Sequence, residues 1–494
     1  MSAPRSPRTA DTVGTSASHS PGKHEVTNAC RVGLPRTVGG MPKRLLLNVF
    51  EMNCVGHITH GLWRLPGNNR HRYTDIRYWT ELARSAEAGQ FDAIFIADVL
   101  GAYDVYGGSA APALREGLQI PNNDPMLVVP AMAAVTEHLG FGITSSTSYE
   151  PPFAFARRMS TLDHLTNGRV GWNVVTSYLP NAARNFGMAT EIPHDTRYEI
   201  ADEYLDVLYQ LWEGSWEDDA VLRDAERGIY TDPDKVHPID HVGQHFRVAG
   251  PHLSEPSPQR TPALFLATGS PAGIARAGQH AEVVFTGGHG VQRTADAVRD
   301  AAQAAGRDRG DVRFVTQAAV ITAPTQREVD DKVAQYRAFA SEEGPLVHGS
   351  VPFDALSHPR SRTVRDALEA EGVEGGERLV GRVALDSTVG ELLDRVNEAW
   401  HGAFWAAGVP EAVTEQIEGW LDDDGIDGIN LRQYHSFDTV RDFGRYVTPL
   451  LQERGRLPER YTPGETLRER VTGGPARLPA SHPAAAHRRT GVPA

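Results

Sequence analysis

Between Leu45 and Arg454 the chain alternates eight times between a short apolar run and a stretch with apolar residues at helical spacing. That alternation constrains the fold more than any other feature. A strand followed by a helix comes back beside the previous strand in parallel, so the pattern predicts one parallel sheet wrapped by helices. The predicted strands are Leu45–Phe50, Ala93–Ala97, Phe141–Ser146, Arg169–Val175, Ala263–Ala267, Glu282–Thr286, Val312–Thr322 and Asp427–Leu431. Helices are predicted over Arg77–Ala88, Met126–His138, Phe153–Leu165, Arg197–Trp212, Pro271–His280, Thr294–Ala305, Gln326–Ser341, Thr388–Trp400, Pro410–Asp423 and Val440–Arg454. Eight strands is the natural count of a closed (β/α)8 TIM barrel. An open doubly wound sheet is the alternative. It leads one to expect a Gly-x-Gly-x-x-Gly turn after an early strand, and none is present. The nearest stretch, "TGGHG" at Thr286–Gly290, lacks the spacing. A nicotinamide-binding unit is therefore not expected.

Two polar stretches interrupt the alternation, Glu217–Arg260 after strand four and Glu342–Asp386 after strand seven. Both read as irregular insertions, and the second is long enough to lie over the barrel mouth as a lid. Residues 1–40 are rich in Ser, Thr, Pro and Gly and read as a disordered extension. The barrel is assigned to 41–455, and 456–494 to an extended C-terminal tail.

The formal net charge of −14 argues against nucleic acid and against an anionic membrane surface as partners. No apolar run approaches the roughly 20 residues that cross a bilayer, and no secretory leader is expected. The two cysteines, Cys30 and Cys54, are too few for a zinc cluster and fit a reducing, cytoplasmic setting.

In such a barrel the chemistry sits where strands run into the following loops. Strand one leads to Asn53, Cys54, His57 and His60. Strand two ends at Asp98, strand three at Thr144, Ser145 and Ser146, and strand four at Asn173, Thr176, Ser177 and Tyr178. Strand five ends in "ATGSPAG", which places Ser270 as an N-cap and Pro271 at the first helical position. The free N–H groups of that helix start suit a phosphate. A well-capped helix with no ligand has the same sequence. The His57/His60 pair has no HExxH or Cys/His cluster behind it, so no metal is expected. Nothing local lowers the pKa of Cys54, so it reads as an inert half-buried thiol rather than a nucleophile.

At these residues the sequence resembles the bacterial-luciferase-like flavin monooxygenases, in the branch that holds nitrilotriacetate, dibenzothiophene-sulfone and long-chain alkane monooxygenases. The resemblance runs from Met41 to the tail. It is carried by "NVFEMNCVGHITHGLWR", "FIADVLGAYDVY", "YEPPFAFARRMSTLDHLTNGRVGWNVVTSYLPNAARNFG", "HDTRYEIADEYLDVLYQLWEGSWEDDAV" and "PSPQRTPALFLATGS". It is strongest to the alkane enzymes. The resemblance implies a reduced-FMN-dependent monooxygenase that uses O2, a separate NAD(P)H-dependent flavin reductase, a small organic substrate and a homodimer. It implies that Asp98, Thr144 and Ser145 meet the isoalloxazine, that His194 and Tyr198 reach the FMN, and that Gly269 and Ser270 hold its phosphate. Cys54, His57, Asn173, Tyr178 and Tyr198 would surround the reactive face, with His57 as proton donor or hydrogen-bond partner. A long-chain alkane is the leading substrate class, with organosulfur compounds or amines next and F420-dependent hydride transfer as the other class of reaction. One position departs from the alkane enzymes, which carry a histidine after "VVTS" where this chain has Tyr178.

Overall fold

A computed structural model describes residues 42–267, 269–288, 290–373, 384–398 and 401–489. The N-terminal extension lies outside the described residues. The core is a closed ring of parallel strands. In chain order these are β1 (Leu46–Met52), β2 (Ala93–Ala97), β3 (Gly140–Ser146), β4 (Val170–Val175), β5 (Ala263–Ala267), β6 (Val283–Thr286) and β7 (Arg313–Thr322), followed by β8 (Phe404–Gly408) and β9 (Gly428–Arg432). β1 pairs with both β2 and β9, and β6 pairs with β7, which closes eight strands into the (β/α)8 barrel. β8 is a ninth strand, absent from the sequence-based expectation. It pairs only with the upper half of the ten-residue β7, from Ala318 to Thr322. The lower half of β7 pairs with β9.

The connecting helices include α1 (Ile76–Ala88), α2 (Val129–Ala133), α3 (Pro152–Leu165), α4 (His194–Tyr209), α5 (Pro271–His280), α6 (Val291–Ala304), α7 (Gln326–Phe339) and α8 (Pro410–Asp422). Side chains alternate across each strand. Leu47, Val49, Phe141, Trp172 and Ile429 face outward into the helix layer. Leu46, Phe50, Phe95, Phe265 and Val315 face inward and fill the barrel. Phe50, Phe95 and Phe285 lie within 6.0 Å of one another, ring to ring, as an aromatic layer across the interior.

The segment after residue 455, expected as an extended tail, carries the helix Leu467–Thr472. Its Leu467 and Val471 join the inward-facing cluster and close the floor of the barrel. Arg468 forms a buried ion pair with Glu282 at the start of β6. The two long insertions are also more ordered than their composition implies. The first holds two small antiparallel hairpins, Val221–Asp224 with Ile229–Thr231 and His241–Val242 with Arg247–Val248. The second contains the helices Gly344–His348 and Val364–Ala370. Leu346, Val347, Phe353 and Val364 pack there against Tyr103, Tyr106 and Leu118 from the loop after β2. Burial of these side chains, rather than helical periodicity, is what orders the segment.

Candidate active site

The expected site residues fall at the carboxyl ends of β1 to β5 and at the start of α4, and the structure sorts them into three groups. The first lies beside α5. Ser270 caps this helix by accepting a hydrogen bond from the Gly273 amide at 3.1 Å. The Tyr198 hydroxyl lies 3.2 Å from Ser270 Oγ, so α4 and α5 meet at this point. Arg276, one turn further along α5, sits over the Tyr198 ring at 4.5 Å and pairs with Asp202. His194 stacks near Tyr198, with ring centres 4.8 Å apart, and is otherwise turned to solvent beside Asp195. Among the described residues, chain neighbours aside, no atom lies within 4 Å of the position a Cβ on Gly269 would take, so they leave the approach to the helix start open.

The second group is inside the barrel. Asn173 and Thr144 occupy inward positions on β4 and β3, and Asn173 Nδ2 donates to Thr144 Oγ1 at 2.9 Å. Asn173 Oδ1 is buried and has no hydrogen-bond partner. An unpartnered buried acceptor is costly, so it marks a place where a donor fits. Asp98, after β2, is held by Asn122 at 3.3 Å. Burial, reinforced by the nearby Asp124, pushes its carboxyl up to about 7. Ser145 contributes its carbonyl to the Trp172 indole at 3.1 Å.

The third group was not legible in the sequence as a unit. Tyr178 bonds through its hydroxyl to Tyr103, and Tyr103 donates to Gln119 Oε1 at 3.3 Å. Gln119 Nε2 lies 3.3 Å from His348 Nε2, and His348 Nδ1 lies 3.1 Å from His60 Nε2. The chain of contacts draws on four loops, and the ordered insertion after β7 supplies His348. Burial, followed by the charge of Arg432, pushes His348 down to about 4. Among the described residues no cluster of three or more His, Cys, Asp or Glu side chains is placed to hold a metal ion.

Burial bears on the roles open to two of these residues. His57 packs edge-on against Phe50, with ring centres 4.6 Å apart. Burial, with Arg70, His348 and Arg432 nearby, holds its pKa well below the usual histidine value. It is neutral near pH 7, so it can share a hydrogen bond but cannot deliver a proton as an imidazolium. Burial pushes the Cys54 thiol up to about 12, so the nucleophilic thiolate is not formed near neutrality. Cys54 belongs to the loop that Arg70 ties down through the Cys54 and Val55 carbonyls, with Glu51 as its buried ion partner.

A closed barrel with polar side chains gathered at the carboxyl ends of its strands is the usual architecture of a barrel enzyme. The chain belongs to the luciferase-like monooxygenase family, whose model matches residues 59–428, and it is an oxidoreductase of that kind. It is 46% identical over 454 residues to the long-chain alkane monooxygenase of Geobacillus thermodenitrificans (strain NG80-2), covering 91% of this chain and 99% of that one. A crystal structure of long-chain alkane monooxygenase superposes with a TM-score of 0.83 at 46% identity, over 91% of this chain and 100% of the other. The dimethyl-sulfide monooxygenase of Hyphomicrobium sulfonivorans is 42% identical over 464 residues, 91% of this chain and 94% of its own. A riboflavin lyase solved with modified FMN and riboflavin matches with a TM-score of 0.81 at 34% identity, over 91% of this chain and 100% of that one.

Proposed function

We propose that the protein is the oxygenase of a two-component system. It takes reduced FMN from a separate NAD(P)H-dependent flavin reductase and uses O2 to put one oxygen atom into a small organic substrate. The second oxygen atom leaves as water, and two electrons come from the flavin. The observation that carries this reading is the junction of Tyr198, Ser270 and the start of α5, with open space at Gly269. Pro271 has no N–H and the Gly273 and Ile274 amides bond to Ser270, so the Ala272 amide and the positive end of this ten-residue helix are what would meet a phosphate dianion. The residues present fit FMN on a second count, because the unpartnered Asn173 Oδ1 could accept from a ring N–H. Gly269, Ser270, Tyr198 and His194 would hold the phosphate end, and Asp98, Thr144, Ser145 and Asn173 the ring.

When bound, reduced FMN supplies the electrons that activate O2. The remaining work falls to the protein. The Phe50, Phe95 and Phe285 layer seals the barrel below the site, which keeps water from the reacting atoms. Neutral His57 and the Tyr178–Tyr103–Gln119–His348–His60 chain offer hydrogen bonds without fixed charge at the rim. For the substrate, the names of the relatives bracket two classes, a long-chain alkane and a small organosulfur compound.

The isolated chain should not oxidise NADH, since the sequence has no dinucleotide-binding turn. Adding FMN, a flavin reductase and substrate should start oxygen uptake, and rapid NADH oxidation by the chain alone would contradict the proposal. A homologous series of n-alkanes against dimethyl sulfide and aryl sulfones separates the two substrate classes. An alkane site gains about 0.8 kcal/mol per buried methylene and shows a stepwise chain-length trend. Tyr178→His, which restores the residue expected of alkane enzymes, should raise alkane product only in that case.

A further inference from the structure

Arg432 is the last residue of β9. Its strand neighbour Asn430 points into the barrel, where it accepts a hydrogen bond from Asn48 at 2.9 Å. By the alternation of strand side chains Arg432 points inward too, one layer higher and opposite Phe50 in the register. It is 5% exposed. Its guanidinium makes one hydrogen bond, from Nη2 to the Ile58 carbonyl at 2.6 Å. Nε is buried without a partner. Among the described residues no carboxylate lies within 4.0 Å of it. The face of Tyr434 lies 5.5 Å away. Burial, with the Arg432 charge as a lesser cause, lowers the pKa values of the neighbouring His57, His60 and His348, which offer no anion.

The other buried arginines are treated differently. Arg70 pairs with Glu51, Arg276 with Asp202 and Arg468 with Glu282. Arg169 lacks an acid but is saturated by the Ala133, Thr136, Leu139 and Thr166 acceptors. Arg307 has one carbonyl and an unpartnered Nε but keeps Asp311 at 4.0 Å. Among the described buried arginines, Arg432 alone has neither an acid within 4.0 Å nor a full set of acceptors. A buried cation left this way is a large penalty to the folded chain. A guanidinium fork is also the side chain best matched to a planar or tetrahedral oxyanion.

We propose that Arg432 anchors an oxyanion group of the substrate, a carboxylate or sulfonate, at the barrel mouth. The inference rests on the monooxygenase reading of this mouth and narrows its substrate. An unfunctionalised alkane gives the guanidinium nothing, whereas an acid-bearing organic molecule satisfies it and leaves its apolar part over the aromatic layer. Arg432 is thus a specificity determinant set apart from the phosphate end of the site at α5.

Calorimetric titration of the full-length, FMN-loaded protein with decanoate, 1-decanesulfonate and 1-decanol tests this directly. Wild type should bind the two anions about 10- to 100-fold more tightly than the alcohol, the range of a charged hydrogen bond. Arg432→Met should lose that preference while keeping its affinity for 1-decanol, and Arg432→Lys should keep part of it. Equal binding of anions and alcohol by wild type would overturn the proposal. So would an Arg432→Met protein that keeps the preference, or one whose only defect is weaker FMN binding. If Arg432→Met fails to fold, the wild-type and Arg432→Lys titrations still decide. A wild-type chain that binds no FMN breaks the reading of the whole site, whereas one that binds FMN without favouring anions breaks this inference alone.

Discussion

Two arginines at opposite ends of the barrel are almost equally buried, Arg468 at 1% and Arg432 at 5% exposed, and their surroundings differ sharply. Arg468, on the floor, donates to both Glu282 oxygens at 2.6 and 3.1 Å and to the Thr261, Pro262 and Ala476 carbonyls at 2.8 Å each. Arg432, at the mouth, has one carbonyl. Arg468 is satisfied internally and Arg432 is not. The unpartnered Asn173 Oδ1 belongs to the same end as Arg432. The difference teaches where stability ends and function begins in this fold: satisfied charge holds the barrel shut, and unsatisfied polarity waits for a ligand.

The sharpest way to break the contrast is to remove each arginine. Arg468→Met strands Glu282 in the interior and should cost about 3–5 kcal/mol, read as a large drop in urea midpoint. Arg432→Met strands no acid, so its midpoint should hold or rise. Equal losses would erase the distinction between floor and mouth.

A smaller effect is expected at Asp98. Its carboxyl is raised from 3.8 to about 7 in the folded chain, so the native state binds the extra proton between those values. This group's contribution to stability is greatest below the ordinary carboxylate pKa and is lost as pH rises towards 7. Asp98→Asn removes that loss. Its stability advantage over wild type should grow from pH 4 to pH 8, by up to about 4 kcal/mol at about 1.36 kcal/mol per pKa unit, read as a widening gap in melting temperature. A difference that stays flat with pH would place the carboxyl outside the strained mouth.

Ser270→Asp keeps a good N-cap but puts a carboxylate where a phosphate is proposed. FMN binding should weaken about tenfold while riboflavin binding changes little, measured by flavin fluorescence. Parallel losses for both ligands would move the phosphate away from α5. Tyr178→Phe is the mildest change. The ring is 58% exposed and the variant loses one hydroxyl contact, so stability should stay within about 0.5 kcal/mol. Turnover should fall nonetheless, with flavin affinity intact, because the hydrogen-bonded rim is cut from Tyr103. Unchanged turnover would make the rim a packing feature.

The sequence was most readable where local signals coincide with the fold. β5 and α5 occur at the expected bounds, Ala263–Ala267 and Pro271–His280, because a short apolar run, a Ser-Pro cap and helical spacing all agree there. The helix expected over Met126–His138 shrinks to α2, Val129–Ala133, preceded by a 3-10 turn. β8 was missed because it pairs only with the overhang of β7, a contact no local pattern announces. The site shows the same division. Ser270, Tyr198, Asn173 and Thr144 are named by strand ends and a resemblance. Tyr103, Gln119 and His348 come together across loops far apart in the chain, and no spacing ties them to one another. Arg432 carries a local signal of its own, a charged residue at the end of the eighth barrel strand.

Isotope labelling decides most directly whether the mouth runs oxygen chemistry. The protein, FMN, NADH and a separate flavin reductase would be incubated under 18O2 with decane, decanoate and dimethyl sulfide, and the products analysed by mass spectrometry. One labelled oxygen atom should enter the product, only when all components are present, with none arising from 18O-labelled water. A product formed without O2, or one whose oxygen comes from water, would contradict a flavin monooxygenase.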